Sequence, residues 1–316
     1  MNAIVRAALG AMTALAVLAG PAEAAEKLRV GRAVPEAFSF TPIDIGIQTG
    51  IFAKNGLDVE SIVFHGDAKM QQAAAAGALD ILVGSGPAMA FIVKGAPIKA
   101  VAAMSGPPLL MCIVARPDGV KSVADLKGKK VGVSTAGSLT YWLVSRTSEL
   151  QGWGPRGIQA EPMGALAGQI AALKRGDIDA IVMDLGSAFS LENRNEGRIV
   201  VRFTDLRDFH IHMIYATNKI IADNPNAVRA FLKGWFETIA FMRKNKAETV
   251  KIAADTTQLS EAIISRTYDE VMSMFSENGK FDPKGLATLR KSFVELKVLP
   301  TEPDMSTLYT EAFLPK

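Results

Sequence analysis

One stretch of the sequence combines residue types that can bind a small anion. Residues 135–140 (TAGSLT) follow a β-rich run and precede a helical pattern over 141–150. We expect Ser138 to cap that helix, whose first turn presents unpaired N–H groups and partial positive charge. An anion held there gains roughly 0.3–1 kcal/mol. Gly137, Ser138 and Thr140 are therefore candidate ligand contacts, and the alternative is a capped helix without a ligand.

Ser85 and Asp184 form a second candidate pair, because each directly follows a predicted strand and the two occupy matching positions in an internal repeat. Facing each other across a cleft, both side chains could hydrogen-bond to a solute. A carboxylate at position 184 could bind an amino group, hold a hydroxyl or pair with a cation that closes the cleft. The alternative for Ser85 is a simple turn within residues 84–86 (GSG).

Three more candidates lie near the ends of predicted strands. Phe38 and Thr41 belong to the loop after the first strand, where Thr41 precedes Pro42 and is predicted to cap a helix. The Phe38 ring could stack on a planar or apolar solute, or simply pack in the interior. His65 ends the second strand and is expected to line a cleft.

The sequence contains no familiar catalytic motif, since G-x-S-x-G, H-E-x-x-H and the phosphate-binding G-x-x-x-x-G-K are all missing. His210 and His212 form a His-x-His pair, but no further His or Cys lies nearby to complete a metal site. A core or hinge role suits this pair better, and whether either residue reaches the cleft stays open. No catalytic residue, metal or cofactor is expected.

The composition is that of an ordinary globular protein of 316 residues, with 35 basic and 32 acidic side chains. The net charge of +3 is too small to indicate binding of nucleic acid. The single cysteine, Cys112, excludes an intrachain disulfide and a multi-thiolate metal site. The length accommodates roughly two domains of about 150 residues each.

The first 24 residues have the layout of a secretory signal peptide. Arg6 precedes an apolar run over 7–19, and the small-x-small sequence 22–24 (AEA) predicts cleavage after Ala24. An N-terminal membrane anchor is the alternative, but the run of about 13 residues is shorter than the roughly 20 that span a bilayer. Cys112 lies far from the cleavage site, so no lipid anchor is expected. The mature protein should be exported and not embedded in the membrane.

Short strands alternate with helices along the rest of the chain. Strands are predicted at 28–34, 57–64, 81–83 and 98–101, and helices at 42–48, 51–55, 69–76 and 87–94. This alternation implies mostly parallel sheets joined by crossover helices, which is an α/β architecture.

Two segments recur about a hundred residues apart. Residues 76–85 match 175–184 with Gly, Asp and Val in register, and 28–33 resemble 129–134 at nearly the same spacing. Two matches in the same order predict two lobes built on one strand-helix plan. Chance similarity between common α/β pieces is the alternative.

Two apolar, β-rich runs, 110–116 and 212–217, stand where one lobe should give way to the other. We expect them to be two crossing hinge strands. Lobe I would then hold 26–112 plus 213–316, and lobe II would hold 113–212. Ligands of open α/β sheets bind beyond the carboxyl ends of the strands, so the cleft between the lobes is the expected site.

Three segments carry a family resemblance. Residues 50–60 (GIFAKNGLDVE), 125–133 (DLKGKKVGV) and 172–180 (ALKRGDIDA) are similar to signatures of periplasmic solute-binding proteins of the nitrate, sulfonate and taurine type, a thiamine-pyrimidine-like family. The segments follow the order of that family and extend over nearly the whole mature chain. The resemblance implies a type II periplasmic binding protein fold, in which two α/β lobes close on one small solute.

The resemblance also implies a function and a site. The solute would pass to an ABC permease with its ATPase, and the binding protein would be a periplasmic monomer. The family places its ligand at the helix start that holds Gly137, Ser138 and Thr140, and places contacts on the loop that holds Phe38 and Thr41.

Two other functions stay open, and so does the ligand. An exported subunit that senses its ligand for a membrane receptor would use the same cleft. A pyrimidine synthase of related fold is an enzyme, but its cysteine cluster is missing here. The helix start favours an anionic group, whereas Asp184 disfavours one unless its charge is masked or it holds a cationic part of the solute. Few Arg fall at predicted cleft positions, Arg32 being the nearest. A monoanionic organic solute is therefore expected, whether sulfonate, carboxylate, pyrimidine or another compound.

Overall fold

A computed structural model of the protein describes residues 25–107 and 109–316. The predicted signal peptide and its cleavage site lie outside the described residues. Ten strands occur in the described part: β1 (Glu26–Arg32), β2 (Leu57–Val63), β3 (Ile81–Ser85), β4 (Ile98–Ser105), β5 (Met111–Ala115), β6 (Lys130–Val133), β7 (Gln159–Pro162), β8 (Ala180–Asp184), β9 (Arg198–Arg202) and β10 (His212–Thr217).

The helices of the described residues lie between these strands and after the last of them. They are α1 (Pro42–Gln48), α2 (Ile51–Lys54), α3 (Asp67–Ala75), α4 (Met89–Val93), α5 (Leu139–Leu150), α6 (Leu166–Arg175), α7 (Leu185–Asn193), α8 (Asn218–Asp223), α9 (Pro225–Lys244), α10 (Lys246–Thr257), α11 (Glu261–Val271) and α12 (Pro283–Glu295). None of them combines the length and the apolar character that crossing a lipid bilayer requires.

The strands form two five-stranded sheets on one plan. Their orders are β2-β1-β3-β10-β4 and β7-β6-β8-β5-β9. The first three strands of each sheet are parallel, and the fourth runs antiparallel to its neighbours. The repeated segments thus occupy the same places, with β1 matching β6 and β3 matching β8. The predicted two-lobed plan is confirmed.

The aspartate that recurs in the repeat has a structural role in both lobes. Asp80 accepts a hydrogen bond from the backbone N–H of Arg29 at 2.9 Å. Asp179 accepts one from the backbone N–H of Lys130, also at 2.9 Å. Asp80 therefore fixes the start of β3 to the neighbouring strand β1, and Asp179 fixes the start of β8 to β6. Both carboxylates lie far from the carboxyl ends of the strands, where a ligand is expected.

The chain passes between the lobes twice. Residues 106–110 connect β4 to β5, and residues 203–211 connect β9 back to β10. The two connections lie side by side, because the Ile211 N–H donates to the Gly106 carbonyl at 3.0 Å. The runs predicted as crossing strands are β5 and β10, and each lies wholly within one sheet, directly after a crossing. Met111 and Cys112 thereby belong to the second sheet, and His212 belongs to the first.

The helices that follow β10 pack on lobe I and also reach lobe II. Trp142 of α5 stacks on Phe209 with ring centroids 4.2 Å apart, and its indole N–H donates to Ser292 of α12 at 2.9 Å. Arg266 of α11 lies over the Phe189 ring of α7 at 3.5 Å. The two lobes are therefore joined by side-chain contacts besides the two connections.

Candidate ligand-binding cleft

A cleft of about 670 Å³, part of it open to solvent, lies between the two sheets at the carboxyl ends of their parallel strands. The residues that line it are Ala33, Val34, Glu36, Ala37, Phe40, His65, Gly66, Asp67, Ser85, Met111, Ser134, Ser138, Leu139, Thr140, Gly164, Ala165, Leu166, Gln169, Val182, Met183, Asp184 and His212.

Helix α5 begins at the lobe II wall of the cleft. The Ser138 hydroxyl accepts a hydrogen bond from the Tyr141 N–H at 3.4 Å, so the predicted cap is confirmed. The hydroxyls of Ser134, Ser138 and Thr140 also lie within 3.0–3.1 Å of one another. These hydroxyls therefore form a small polar cluster that is already hydrogen-bonded within lobe II.

Asp67 faces this helix start from lobe I. It is the first residue of α3, its exposure is only 3%, and its Oδ1 accepts a hydrogen bond from the Ser85 N–H at 3.0 Å. Burial raises the pKa of Asp67, while hydrogen bonds from Ser85 and from the Leu139 backbone N–H act in the opposite direction. Because Leu139 is the first residue of α5, a carboxylate of one lobe meets the positive end of a helix of the other.

Ser85 and Asp184 have equivalent local roles, as their positions in the repeat suggested. The Ser85 hydroxyl accepts from the Ala88 N–H at 3.2 Å. The Asp184 carboxylate accepts from the Ser187 N–H at 3.0 Å and from the Ser187 hydroxyl at 2.8 Å, which caps α7. Burial raises the pKa of Asp184, and the Ser187 hydrogen bonds oppose the rise. Both residues also line the cleft.

Glu36 is the third carboxylate of the cleft. Burial, together with the nearby charge of Asp184, raises the pKa of Glu36 to about 7, although Arg32 partly offsets the rise. Arg32 itself forms an ion pair with Asp44 of α1 and is buried. The arginine predicted to lie nearest the ligand is therefore neutralised by a residue outside the cleft.

Two rings form one wall of the cleft. Phe40 and His212 lie with ring centroids 4.8 Å apart at an interplanar angle of 60°. Burial lowers the pKa of His212 to about 3, so the imidazole is neutral at physiological pH. Its Nδ1 lies 3.4 Å from the Ser105 hydroxyl. This wall therefore offers a ligand an uncharged aromatic surface.

The structure brings five of the residues singled out from the sequence into the cleft lining: His65, Ser85, Ser138, Thr140 and Asp184. Their contact with a ligand stays a prediction. Gly137 lies instead beside Phe91 in a separate depression, which Tyr141 also lines.

Phe38 and Thr41 lie in the interior, outside the cleft lining. The Phe38 ring packs against Tyr268 and Phe275, with centroids 6.3 Å away from each. Thr41 precedes α1 as expected, but its hydroxyl donates to the Phe38 carbonyl at 2.8 Å and does not cap the helix. The reason is a turn of 3-10 helix over Phe38–Phe40, which turns Phe40 toward the cleft and Phe38 away from it.

The lining residues that were not singled out as ligand contacts from the sequence include Glu36, Phe40, Asp67, Gln169 and His212. The helix predicted at 69–76 begins two residues earlier, at Asp67, directly after the second strand and Gly66. An acidic residue in the first turn of a helix that follows a strand was the available signal for Asp67. His210, the partner of His212 in the sequence, does not line the cleft, because its Nε2 accepts from the Asp282 N–H at 2.8 Å.

The charges of the cleft are all of one kind. Among the described lining residues, Glu36, Asp67 and Asp184 are acidic, and no lysine or arginine is present. Residues 25–107 and 109–316 contain no group of three or more His, Cys, Asp or Glu side chains arranged to hold a metal ion.

The raised pKa of Glu36 predicts a pH-dependent stability. Between about pH 4.5 and pH 7 the folded protein keeps a proton on Glu36 that the unfolded chain releases, so this group destabilises the fold as the pH rises through that window. Melting temperatures of the wild type and of Glu36→Gln, recorded from pH 4 to pH 8.5, should therefore diverge, with the variant gaining relative to the wild type as the pH increases. A difference that is constant over this range would contradict the assigned pKa.

Comparisons with known proteins extend over both lobes. The family model described as “NMT1/THI5 like” matches residues 37–249. A protein of Brucella abortus (strain 2308), named as a candidate binding protein, is 26% identical over 255 residues, which cover 74% of this chain and 72% of that protein.

Two solved structures show the same fold. The alkanesulfonate-binding protein SsuA of Xanthomonas axonopodis pv. citri, bound to MOPS, matches with a TM-score of 0.78 and 17% identity, over 90% of this chain and 98% of that one. The periplasmic nitrate-binding protein NrtA of Synechocystis PCC 6803 matches with a TM-score of 0.71 and 15% identity, over 91% of this chain and 86% of that one.

Proposed function

The chain belongs to the NMT1/THI5-like family, and from that premise we propose that it is the solute-binding component of an ABC importer. The observation that carries the proposal is the cleft between two like lobes that are joined by two adjacent connections, 106–110 and 203–211. Paired connections of this kind allow two rigid bodies to rotate about a common axis and to enclose a solute.

The rest of the proposal follows from this arrangement. The protein is exported by its signal peptide, cleaved after Ala24, and works as a periplasmic monomer. It captures one small organic solute by closure of the lobes and delivers it to a membrane permease with its ATPase. The solved relatives are named as binding proteins, which supports capture over catalysis, although the family name also refers to thiamine biosynthesis.

Closure of the two lobes on a bound solute is the property that tests this function. The protein is expressed with its signal sequence, recovered from the periplasm, and any bound small molecule is identified by mass spectrometry after denaturation. Adding the identified compound back to refolded protein should raise the melting temperature and reduce the radius of gyration measured by small-angle X-ray scattering, since the lobes close on it.

Transport itself needs a second measurement. The loaded protein should stimulate ATP hydrolysis by the permease complex encoded beside its gene, reconstituted in proteoliposomes, and the unloaded protein should stimulate it less. A solute that binds without any change in the radius of gyration, or a loaded protein that leaves ATP hydrolysis unchanged, would refute import. Stimulation of a receptor kinase by the loaded protein would favour the sensory function.

A further inference from the structure

The start of α5, which would suit an anionic solute, already faces a carboxylate. Asp67 faces it from lobe I, because Asp67, Ser138 and Leu139 line the same cleft. Glycine at position 66 permits this approach, because a Cβ there would lie 2.6 Å from the Thr135 side chain of lobe II. An anionic solute would have to displace Asp67 and would then lie beside a buried negative charge.

The remaining charges of the cleft also disfavour an anion. Glu36 and Asp184 both line the cleft, and the charge of Asp184 contributes to the raised pKa of Glu36. Arg32, the cation that acts on Glu36, is paired with Asp44. No lysine or arginine lines the described cleft, so a ligand that brings positive charge would stabilise the ionised form of these buried carboxylates.

A buried acceptor in the cleft lacks a hydrogen-bond donor. Gln169 of α6 is 3% exposed, and its Nε2 donates to the Gly164 carbonyl at 2.8 Å. Its Oε1 accepts no hydrogen bond from any residue that the structure describes. This oxygen lies near Gly132, and a ligand N–H that reaches it would supply the missing hydrogen bond.

The apolar and aromatic residues of the lining determine which kind of uncharged group the solute can carry. Phe40 and neutral His212 form the aromatic wall, and Leu139 and Met183 add apolar surface. A cation beside an aromatic face is stabilised further by the charge distribution of the ring. The lining therefore suits a small apolar or aromatic group that carries N–H donors at one end.

We propose that the cleft selects an organic cation, a protonated amine or amidine on a small apolar body, and that Asp67 is the residue that excludes anions. The inference rests on the proposed function, because it names the class of solute that the same cleft would capture. It replaces the monoanionic solute expected from the sequence.

The test uses solutes that share one skeleton and differ in charge. Benzamidinium, benzamide and benzoate have nearly the same planar shape, and cyclohexylammonium, cyclohexanol and cyclohexanecarboxylate provide an aliphatic series. Isothermal titration calorimetry at pH 8 on the mature protein, stripped of bound solute, should give the tightest binding for the cation of each series, at least tenfold tighter than the anion. Binding of either anion as tightly as its matched cation, or no binding of either cation, would overturn the proposal.

Variants of the carboxylates give the second part of the test. Asp67→Asn keeps the size of the side chain and an oxygen that can accept from the Ser85 N–H, but removes its charge. We expect the affinity for benzamidinium to fall at least tenfold and the affinity for benzoate to rise. The matched control is Asp58→Asn, an exposed position on β2 outside the cleft, which should change neither affinity.

Glu36→Gln keeps the proposal testable if Asp67→Asn does not fold. Glu36 is only partly buried, and its replacement should still lower the affinity for benzamidinium while the melting temperature confirms a folded protein. Unchanged cation affinity in a folded Glu36→Gln or Asp67→Asn variant would count against the charge assignment.

Scattering measurements separate this inference from the proposed function. An anion that binds tightly and reduces the radius of gyration would overturn the charge selectivity and leave solute capture intact. Cations that bind in the expected order without any closure would support the charge selectivity and count against capture.

Discussion

Replacing Trp142 by alanine is expected to lower the free energy of unfolding by about 3–5 kcal/mol, the usual cost of removing a large buried aromatic side chain. Trp142 is 2% exposed, and it packs on Phe209 in the second connection between the lobes. Its indole N–H also donates to Ser292 of α12. The substitution therefore leaves a cavity where α5, the connection and the C-terminal helices meet.

Urea unfolding of the two proteins, monitored by circular dichroism, measures this loss. The control is Trp153→Ala, because Trp153 is only partly buried and lies at the surface beside Lys127. We expect the control to lose clearly less stability than Trp142→Ala. Equal losses in the two variants would mean that Trp142 is not part of the contact that joins the lobes.

Gly86→Ala is the second substitution with a large expected effect, a loss of about 1–3 kcal/mol or more from overpacking. A Cβ at position 86 would lie 1.9 Å from the carbonyl oxygen of His210, and backbone atoms cannot move aside as a flexible side chain can. The Gly86 N–H also donates to the Ile211 carbonyl at 2.9 Å. The strain therefore falls on the second connection between the lobes.

Gly168→Ala is the matched control for this substitution. Position 168 lies in α6, and a Cβ there would meet no atom within 4 Å. Alanine should therefore leave stability unchanged or raise it by roughly 0.5–1 kcal/mol, as expected for a helix. Urea unfolding compares the two variants, and a Gly86→Ala protein as stable as Gly168→Ala would refute the close approach of the backbones.

Much of the fold could be predicted from the sequence, because apolar runs and repeated segments indicate its strands and its two lobes. The run Ile81–Ser85 is buried at every position, as continuous apolar runs in parallel sheets usually are. The matching segments 76–85 and 175–184 predicted two lobes on one plan, and β3 and β8 occupy the same place in their sheets. The periplasmic binding protein fold and the family inferred from the sequence are confirmed.

The site was less accessible to sequence reasoning, since its properties arise between distant segments. The loop over Phe38–Phe40 has no periodicity that would show which aromatic ring faces the cleft. Asp67 faces the start of α5 only in the folded protein, because Leu139 lies 72 positions away in the sequence. The positive backbone φ of Gly137, 74°, belongs to the turn before α5, whose direction the sequence does not reveal. The meeting of Glu36, Asp67 and Asp184 in one cleft could therefore not be predicted from single residues.

The position of β10 between β3 and β4 has a consequence for how the protein folds. The strands of lobe II come from one continuous stretch, 111–202, whereas the sheet of lobe I needs residues 212–217 to fill its interior. Lobe II can therefore form its complete sheet first. Until β10 is added, β3 and β4 each have an unpaired, apolar edge, and such edges are prone to aggregation. As the chain is synthesised from its amino terminus, lobe I is therefore completed last, by a strand that follows two thirds of the chain.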